Sequence, residues 1–409
     1  LDNLSKLLAK EQMALSASIR RISVPADLNL DNSSVFLRAG QQIIATGKAV
    51  ELSASGPNRI GDLASAWQQL ISETEIIDDT GLSGTGLIAL TSITFSASSS
   101  AKSVVYVPQI TRVYRDGIGF EVVVDSAAPV EQATIVPTGK FADGDQSKAQ
   151  FEEGIEKALI AIQSTELEKV VLGRDLVMPT ESRPDLAIPL ERFHAKYPQC
   201  WTYLIGDVFG ASPELLLRAT NGEVSARVLA GTAGRGTDPD VDRAIAEGLI
   251  HSQKNRHEHD YAVQSMVSQL GPFCDWVEAD AEPFSLALPD LWHLATDVRG
   301  TLKATSSLLD VIAKLHPTAA VAGTPRGLAK DLILELEPFD RAGYAGPVGW
   351  LSSDGSGELA IALRGGVIEE NQIRAIAGCG IVAESDPVAE LAETELKFRA
   401  VRYAFDQSL

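Results

Sequence analysis

Ala377-Gly378-Cys379-Gly380-Ile381-Val382-Ala383-Glu384-Ser385-Asp386-Pro387, followed by Glu390, Glu393 and Lys397, is the stretch on which the reading of this chain turns. An apolar run ends on two close glycines, which tolerate a backbone approach that a side chain would block. A helix then begins, with Asp386 suited to cap its first turn and Pro387 to its first helical position. Glu390 and Glu393 are three residues apart and share a face, with Lys397 one turn further on. Two carboxylates and a cation beside glycine amides can hold a metal ion and an anion together. Alone, such a pattern is an ordinary ion-paired helix face, so the rest of the chain has to decide.

The chain has 409 residues, 45% hydrophobic and 22% charged, with a net charge of −20. These values describe an ordinary globular protein with a large core, in two or three domains or one duplicated unit. The acidic balance argues against nucleic acid as a partner. It also requires a local island of cations, amides or metal for any anionic substrate. No apolar run is long enough to span a membrane. Cys200, Cys274 and Cys379 show neither metal spacing nor a disulfide framework, which fits a reducing, cytoplasmic setting. His257-Glu258-His259 lacks the spacing of a zinc protease. Leu1 to Arg21 reads as an amphipathic helix rather than a signal peptide.

Short alternating runs at Val35-Phe-Leu-Arg, Ile43-Ile-Ala, Leu87 to Phe95, Ser103 to Pro108 and Phe120 to Val124 read as strands, with one helix at about Ile60 to Ile77 among them. Nothing catalytic stands out there. Asp143 to Lys148 reads as a linker, dividing the chain into residues 1–145 and 146–409. A helix over about Ser147 to Gln163 follows, with Phe151, Ile155, Ala158, Leu159 and Ile162 at helical spacing.

Lys169 then stands at the head of the β-branched run Val170-Val171-Leu172. Glu214 sits at a turn-to-strand junction in Ser212-Pro213-Glu214-Leu215; partly buried there, it would have a raised pKa and could donate a proton near neutrality. Val228 to Gly236 reads as a strand ending in a glycine-rich loop, with no phosphate-loop signature. One long helix is expected over about Asp238 to Leu270, with His251, Asn255 and Glu258 on one face. Further on come the extended segment around His293 and the proline- and glycine-punctuated His316 to Arg326. Glu335-Leu-Glu-Pro-Phe-Asp-Arg341 follows, then a hairpin of Gly346 to Ser352 with Leu359 to Arg364. Arg364 falls at that strand's end, within reach of the opening glycines if Ile373 to Ala377 pairs back. A planar guanidinium beside amides is a carboxylate clamp.

Taken in order, these motifs resemble the chorismate-utilising enzymes: isochorismate synthases, salicylate synthases, anthranilate synthase large subunits and aminodeoxychorismate synthases. The resemblance runs from Phe151 to Leu409 and is carried by Glu168-Lys-Val-Val-Leu, Ser212-Pro-Glu-Leu, Leu229-Ala-Gly-Thr, Lys254-Asn-Arg-His-Glu-His, Leu291-Trp-His-Leu-Ala-Thr, Glu335 to Arg341 and the opening stretch. Residues 1–145 are only loosely like the family's variable half. The resemblance implies an α+β fold of duplicated α/β subdomains. Their large, mostly antiparallel sheets would pack face to face with helices outside, in four layers α/β/β/α.

By the same resemblance Glu258 and Glu393 bind Mg²⁺, with Glu390 as a secondary partner, and the ion holds the ring carboxylate of chorismate. Asn255 departs from relatives that carry a carboxylate there. Arg364, Lys397 and the Gly378 amide would take substrate carboxylates, with Gly231, Thr232, Ala320 and Tyr344 also lining the site. Lys169 matches the base that activates water for attack at C2. Glu214 matches the acid that protonates the departing C4 hydroxyl, and His293 lines the C4 side. A lysine base must be neutral, so desolvation or neighbouring cations would have to lower its pKa.

Lys169, where anthranilate synthases carry Gln, implies water rather than ammonia as nucleophile, so no amidotransferase subunit is needed. Ala230 cannot replace the nucleophilic lysine of aminodeoxychorismate synthases. Ala320, where salicylate synthases carry Thr, implies stopping at isochorismate, although Tyr344 and Leu363 resemble lyase residues and Val321 is intermediate. The expectation is a monomeric isochorismate synthase serving menaquinone or siderophore synthesis. A pyruvate-releasing lyase and a non-catalytic chorismate-binding paralogue are the alternatives.

Overall fold

The structure is a computed structural model that describes residues 15–406 apart from 83, 127–135 and 138; of Lys254, His257 and Glu258 only the helical backbone is described. Two large sheets form among the described residues, one of 13 strands and one of 10. Neighbouring strands are antiparallel throughout, except that Ser16–Ile22 runs parallel to Glu75–Asp78.

Period-two patterning explains why the sheets are buried on both faces. In the first sheet Phe36, Ile43, Ala45, Trp201 and Tyr203 point into a core shared with Leu90, Tyr106, Leu217 and Leu359 of the second. Val35, Leu37 and Ile44 point the other way, against Phe193 and Phe398 of the helices Ala187–Lys196 and Pro387–Ala404. Phe193 and Phe398 are 0% and 1% exposed, and burying each contributes ~2 kcal/mol. Helices Arg59–Glu73, Gln253–Leu270 and Leu308–Leu315 cover the second sheet. The four layers expected from the family resemblance are therefore present.

Three local expectations change. Residues 16–21 are not helical: Ser16–Ile22 is a strand paired with Ile118–Val124, burying Ala17 and Ile19 and exposing Ser18 and Arg20. Leu15 is not helical either, and residues 1–14 of the expected N-terminal helix lie outside the described residues. The helix at Ile60 to Ile77 stops at Glu73, and Ile76 and Ile77 join Ser16–Ile22 as an edge strand. Sheet pairing of β-branched residues outweighs helical periodicity there. The long helix at Asp238 to Leu270 is two helices, Pro239–His251 and Gln253–Leu270, parted at Ser252. Ser252 is extended and its hydroxyl accepts from the Asn255 amide, so it caps a new helix. His251 and Asn255 therefore do not share one helix face.

Both sheets draw strands from either side of residue 145. The expected linker is tied down. Ala142–Asp143 pairs with Leu176 and Val177, and the amides of Asp145 and Gln146 donate to the Asp175 carboxylate at 3.0 and 3.2 Å.

Candidate active site

The site forms where the chain changes sheets. Glu214 follows Val208–Ser212 of the first sheet and precedes Leu215–Thr220 of the second. Arg364 makes the reverse crossing, between Gly357–Ile361 of the second sheet and Gly365–Glu369 of the first. It lies beyond the hairpin strand rather than at its end, in a left-handed conformation with φ 55°. The two connectors are stitched together: Ile361 N–H donates to the Glu214 carbonyl at 3.1 Å and Ala211 N–H to the Arg364 carbonyl at 3.3 Å.

Lys169 begins the strand Lys169–Pro179, whose neighbour Gln372–Ile381 places Gly378 opposite Gly173. Pairing of Gln372–Ile381 with Gly365–Glu369 ends at Gly365 and Ile376. Beyond that point the Gly378 amide is turned to the site, near the Tyr344 hydroxyl. His293 lies on Leu291–Leu302 opposite Thr232, beside the bulge between Leu229 and Thr232 that contains Gly231. Gly231 has φ +83°, and a Cβ there would sit 3.3 Å from Asn255 Cβ. A side chain at 231 would be both strained and crowded.

A cavity of about 110 Å³ is lined by Lys169, Glu214, Gly231, Thr232, His293, Ala320, Tyr344, Arg364, Gly378, Glu393 and Lys397. Residues 228 positions apart in sequence, from Lys169 to Lys397, thus share one wall system. Among the described side chains, one expected site residue is not on it. Glu390 is held off the cavity by the Ser385 hydroxyl and the Cys379 thiol. Glu258 lies on the helix whose first turn packs Asn255 against Gly231, and its side chain falls outside the described residues.

Burial and charge set the protonation states. Glu214 is 6% exposed, and desolvation raises its pKa from 4.5 to about 8 even though Lys169, Arg364 and Lys397 pull it down. Its carboxyl is therefore neutral at pH 7 and can donate a proton. Burial also opposes ionisation of Glu393, but Lys397, Arg364 and Lys169 outweigh it, leaving the pKa below the ordinary value. Lys397 Nζ lies 2.7 Å from Glu393 and donates to the Gly378 carbonyl at 2.6 Å. Glu390 is raised by burial and by the neighbouring Glu393 charge.

Burial, Arg364 and Lys397 all hold His293 well below the usual imidazole range, so it is neutral. Arg364 Nη2 donates to its Nε2 at 3.1 Å, which puts the ring proton on Nδ1, beside Thr232 Oγ1 at 3.1 Å and bonded to the Gly231 carbonyl. The local set of Lys169, Arg364 and Lys397 is the cationic island that a −20 chain needs for an anionic substrate.

Three supporting residues had no role from sequence. Arg341 and Glu337 form a buried pair, each side chain 3% exposed. Arg341 also donates to the carbonyls of Val171 and Val321 at 2.7 and 3.0 Å, and Glu337 accepts from Gly173 N–H at 2.6 Å. The pair fastens the Lys169 strand to the wall that carries Ala320. Their i, i+4 charge spacing was the available signal. His259 is 0% exposed and bridges the Ala230 carbonyl at 3.2 Å and the Thr296 hydroxyl at 2.7 Å, pinning its helix over the glycine bulge.

An acid held neutral by burial, a lysine across the same cavity and a cluster of cations beside an ionised glutamate define an acid–base site for a small anion. Residues 124–406 match the sequence profile of the chorismate binding enzyme family, and the chain belongs to that family. It is 36% identical over 260 residues to isochorismate synthase EntC of Escherichia coli strain K12, covering 62% of this chain and 66% of EntC. It is 36% identical over 273 residues to isochorismate synthase MenF of Bacillus subtilis strain 168, covering 66% of this chain and 57% of MenF. These matches span less than two thirds of either relative's own length. The structure of MenF, the menaquinone-specific isochorismate synthase of Escherichia coli, superposes with a TM-score of 0.79 over 99% of this chain and 98% of that one. At 21% identity that likeness speaks for the fold. No helix among the described residues is long and apolar enough to cross a membrane.

Proposed function

We propose that this chain is an isochorismate synthase, converting chorismate reversibly to isochorismate by adding water at C2 and releasing the C4 hydroxyl. The observation that carries the reading is Glu214: a buried carboxyl with pKa about 8, on the same cavity as Lys169, Arg364 and Lys397. Lys169 takes a proton from the water that attacks C2. Glu214 gives its proton to the C4 oxygen as that bond breaks. Arg364 and the Gly378 amide hold substrate carboxylates, and Lys397 joins them from its seat between Glu393 and Gly378. His293, neutral and with its Nε2 facing Arg364, orients that guanidinium on the C4 side. Ala320 presents no hydroxyl that could promote pyruvate elimination, so the product is isochorismate rather than salicylate.

Mg²⁺ is the metal that fits the donors. Glu393 is ionised on the cavity wall and Glu390 lies one turn before it, and carboxylate oxygens suit a hard dication that keeps several waters. Among the described residues no group of three or more His, Cys, Asp or Glu converges, so the set needs Glu258 to complete it. When bound, the ion would neutralise the ring carboxylate. Residues 146–409 supply this chemistry and residues 1–145 complete the sheets. The enzyme acts as a cytoplasmic monomer without an amidotransferase subunit, its product feeding menaquinone or siderophore synthesis.

The test is incubation with chorismate and Mg²⁺, followed by chromatographic separation of products. Isochorismate alone is expected. Salicylate with pyruvate would make the chain a lyase, and unchanged chorismate would make it a binding protein.

A further inference from the structure

Behind Glu214 lies a second cavity of about 20 Å³, enough for one water. Glu214 and Ala320 belong to the walls of both cavities, so these two residues form the partition between them. The polar lining of the rear cavity is Thr318, Ser265 and Gln269. Thr318 is 9% exposed, and its Oγ1 is buried without a hydrogen-bond partner among the described residues. Gln269 Oε1 is in the same condition, while its Nε2 donates to Ser265 Oγ at 2.7 Å. Each such buried polar atom costs ~1–3 kcal/mol unless something bonds to it. Ser265 and Gln269 are only half-buried, on the outer helix Gln253–Leu270, so the lining reaches from the acid to the surface.

We propose that the rear cavity holds a water, and that Thr318, Gln269 and Ser265 use it to return a proton from solvent to Glu214 between turnovers. The proposal rests on the reading of Glu214 as the acid of the chorismate reaction. In each forward turnover the attacking water loses a proton to Lys169 and the C4 oxygen gains one from Glu214 as water leaves. The enzyme is left with Lys169 protonated and Glu214 ionised. Resetting needs one proton delivered to Glu214 and one released from Lys169. Product still in the front cavity separates Glu214 from bulk solvent on that side, whereas the rear cavity reaches it without crossing the substrate. The charges facing Glu214 from the front are Lys169, Arg364 and Lys397, none of which can donate to it by way of the rear cavity. Thr318, Gln269 and Ser265 are positioning residues for this transfer and do not touch substrate.

Two measurements test it. A high-resolution crystal structure is expected to show one ordered water bonded to Thr318 Oγ1 and Gln269 Oε1; a dry cavity overturns the proposal whatever the activity. In kinetics on chorismate, Thr318→Val and Gln269→Leu are each expected to lower kcat about tenfold and raise its solvent deuterium isotope effect, with KM changed less than about twofold. Thr318→Ser restores the parental values. A packing defect would not move the isotope effect, and Gln269→Leu guards against misfolding of the Thr318 variant. An active parent whose variants keep its kcat and isotope effect sinks the route alone. A parent that leaves chorismate untouched sinks the reading of the site, and the route with it.

Discussion

Glu214→Gln separates what the buried acid does for catalysis from what it costs the fold. In the unfolded chain the carboxyl titrates near 4.5, and in the native state near 8. Below pH 4.5 both states hold the proton and the group is neutral for stability. As pH rises from there towards 8, the unfolded chain ionises while the native state does not, so stability falls. Above pH 8 both are ionised and the loss levels off. At ~1.4 kcal/mol for each pKa unit of difference, the full loss is ~5 kcal/mol. The side chain is 6% exposed, so solvent screening takes little from it.

Gln does not titrate, and whatever its amide costs is the same at every pH. Urea unfolding of the two proteins should therefore show the Gln variant gaining ~4 kcal/mol over the parent between pH 5 and pH 8. The same substitution should lower chorismate turnover by ~10²–10⁴-fold. Parental forward turnover should itself decline above pH about 8, as Glu214 loses its proton. A stability gap that stays constant within ~1 kcal/mol across that range, or near-parental turnover by the Gln variant, would refute the reasoning.

Lys169→Ala should leave the circular dichroism spectrum unchanged and reduce turnover by ~10²–10⁴-fold; a near-normal rate would remove Lys169 as base. Exhaustive chelation should stop isochorismate formation and Mg²⁺ should restore it, with Glu393→Gln needing more Mg²⁺ for half-maximal rate; turnover indifferent to chelation would argue against a metal on Glu393. Ala320→Thr should divert part of the product to salicylate and pyruvate, read by a coupled pyruvate assay, and isochorismate as sole product would detach product choice from this position. Arg341→Ala should cost ~3–5 kcal/mol in denaturant unfolding, because it leaves the Glu337 carboxylate buried without its partner; a cost below ~1 kcal/mol would show the pair to be expendable.

Much of the site was legible in sequence because its motifs are local. Gly378 to Lys397 announces a glycine-ended strand and a capped helix with its charges on one face, and the structure has both. Glu214 and Lys169 stand out as charged residues abutting apolar runs. The misreadings fall where pairing partners are distant. Ile76 and Ile77 continue a helical period but are taken by a strand that begins at Ser16. Ser252 lies inside a helical pattern but caps a second helix.

The sequence alone determined the strand and capped helix of the Gly378 to Lys397 stretch, the acidic balance that demands a cationic island, and the residue types able to do the chemistry. Those follow from periodicity, charge and side-chain chemistry, which need no knowledge of neighbours. Only the tertiary structure decided that Glu214 and Arg364 sit at two sheet crossings and that Lys397 spans Glu393 and Gly378. It also decided that His293 is neutral with its Nε2 facing Arg364. A pKa of about 8 at Glu214 is a property of burial, and burial is made by strands far apart in the chain.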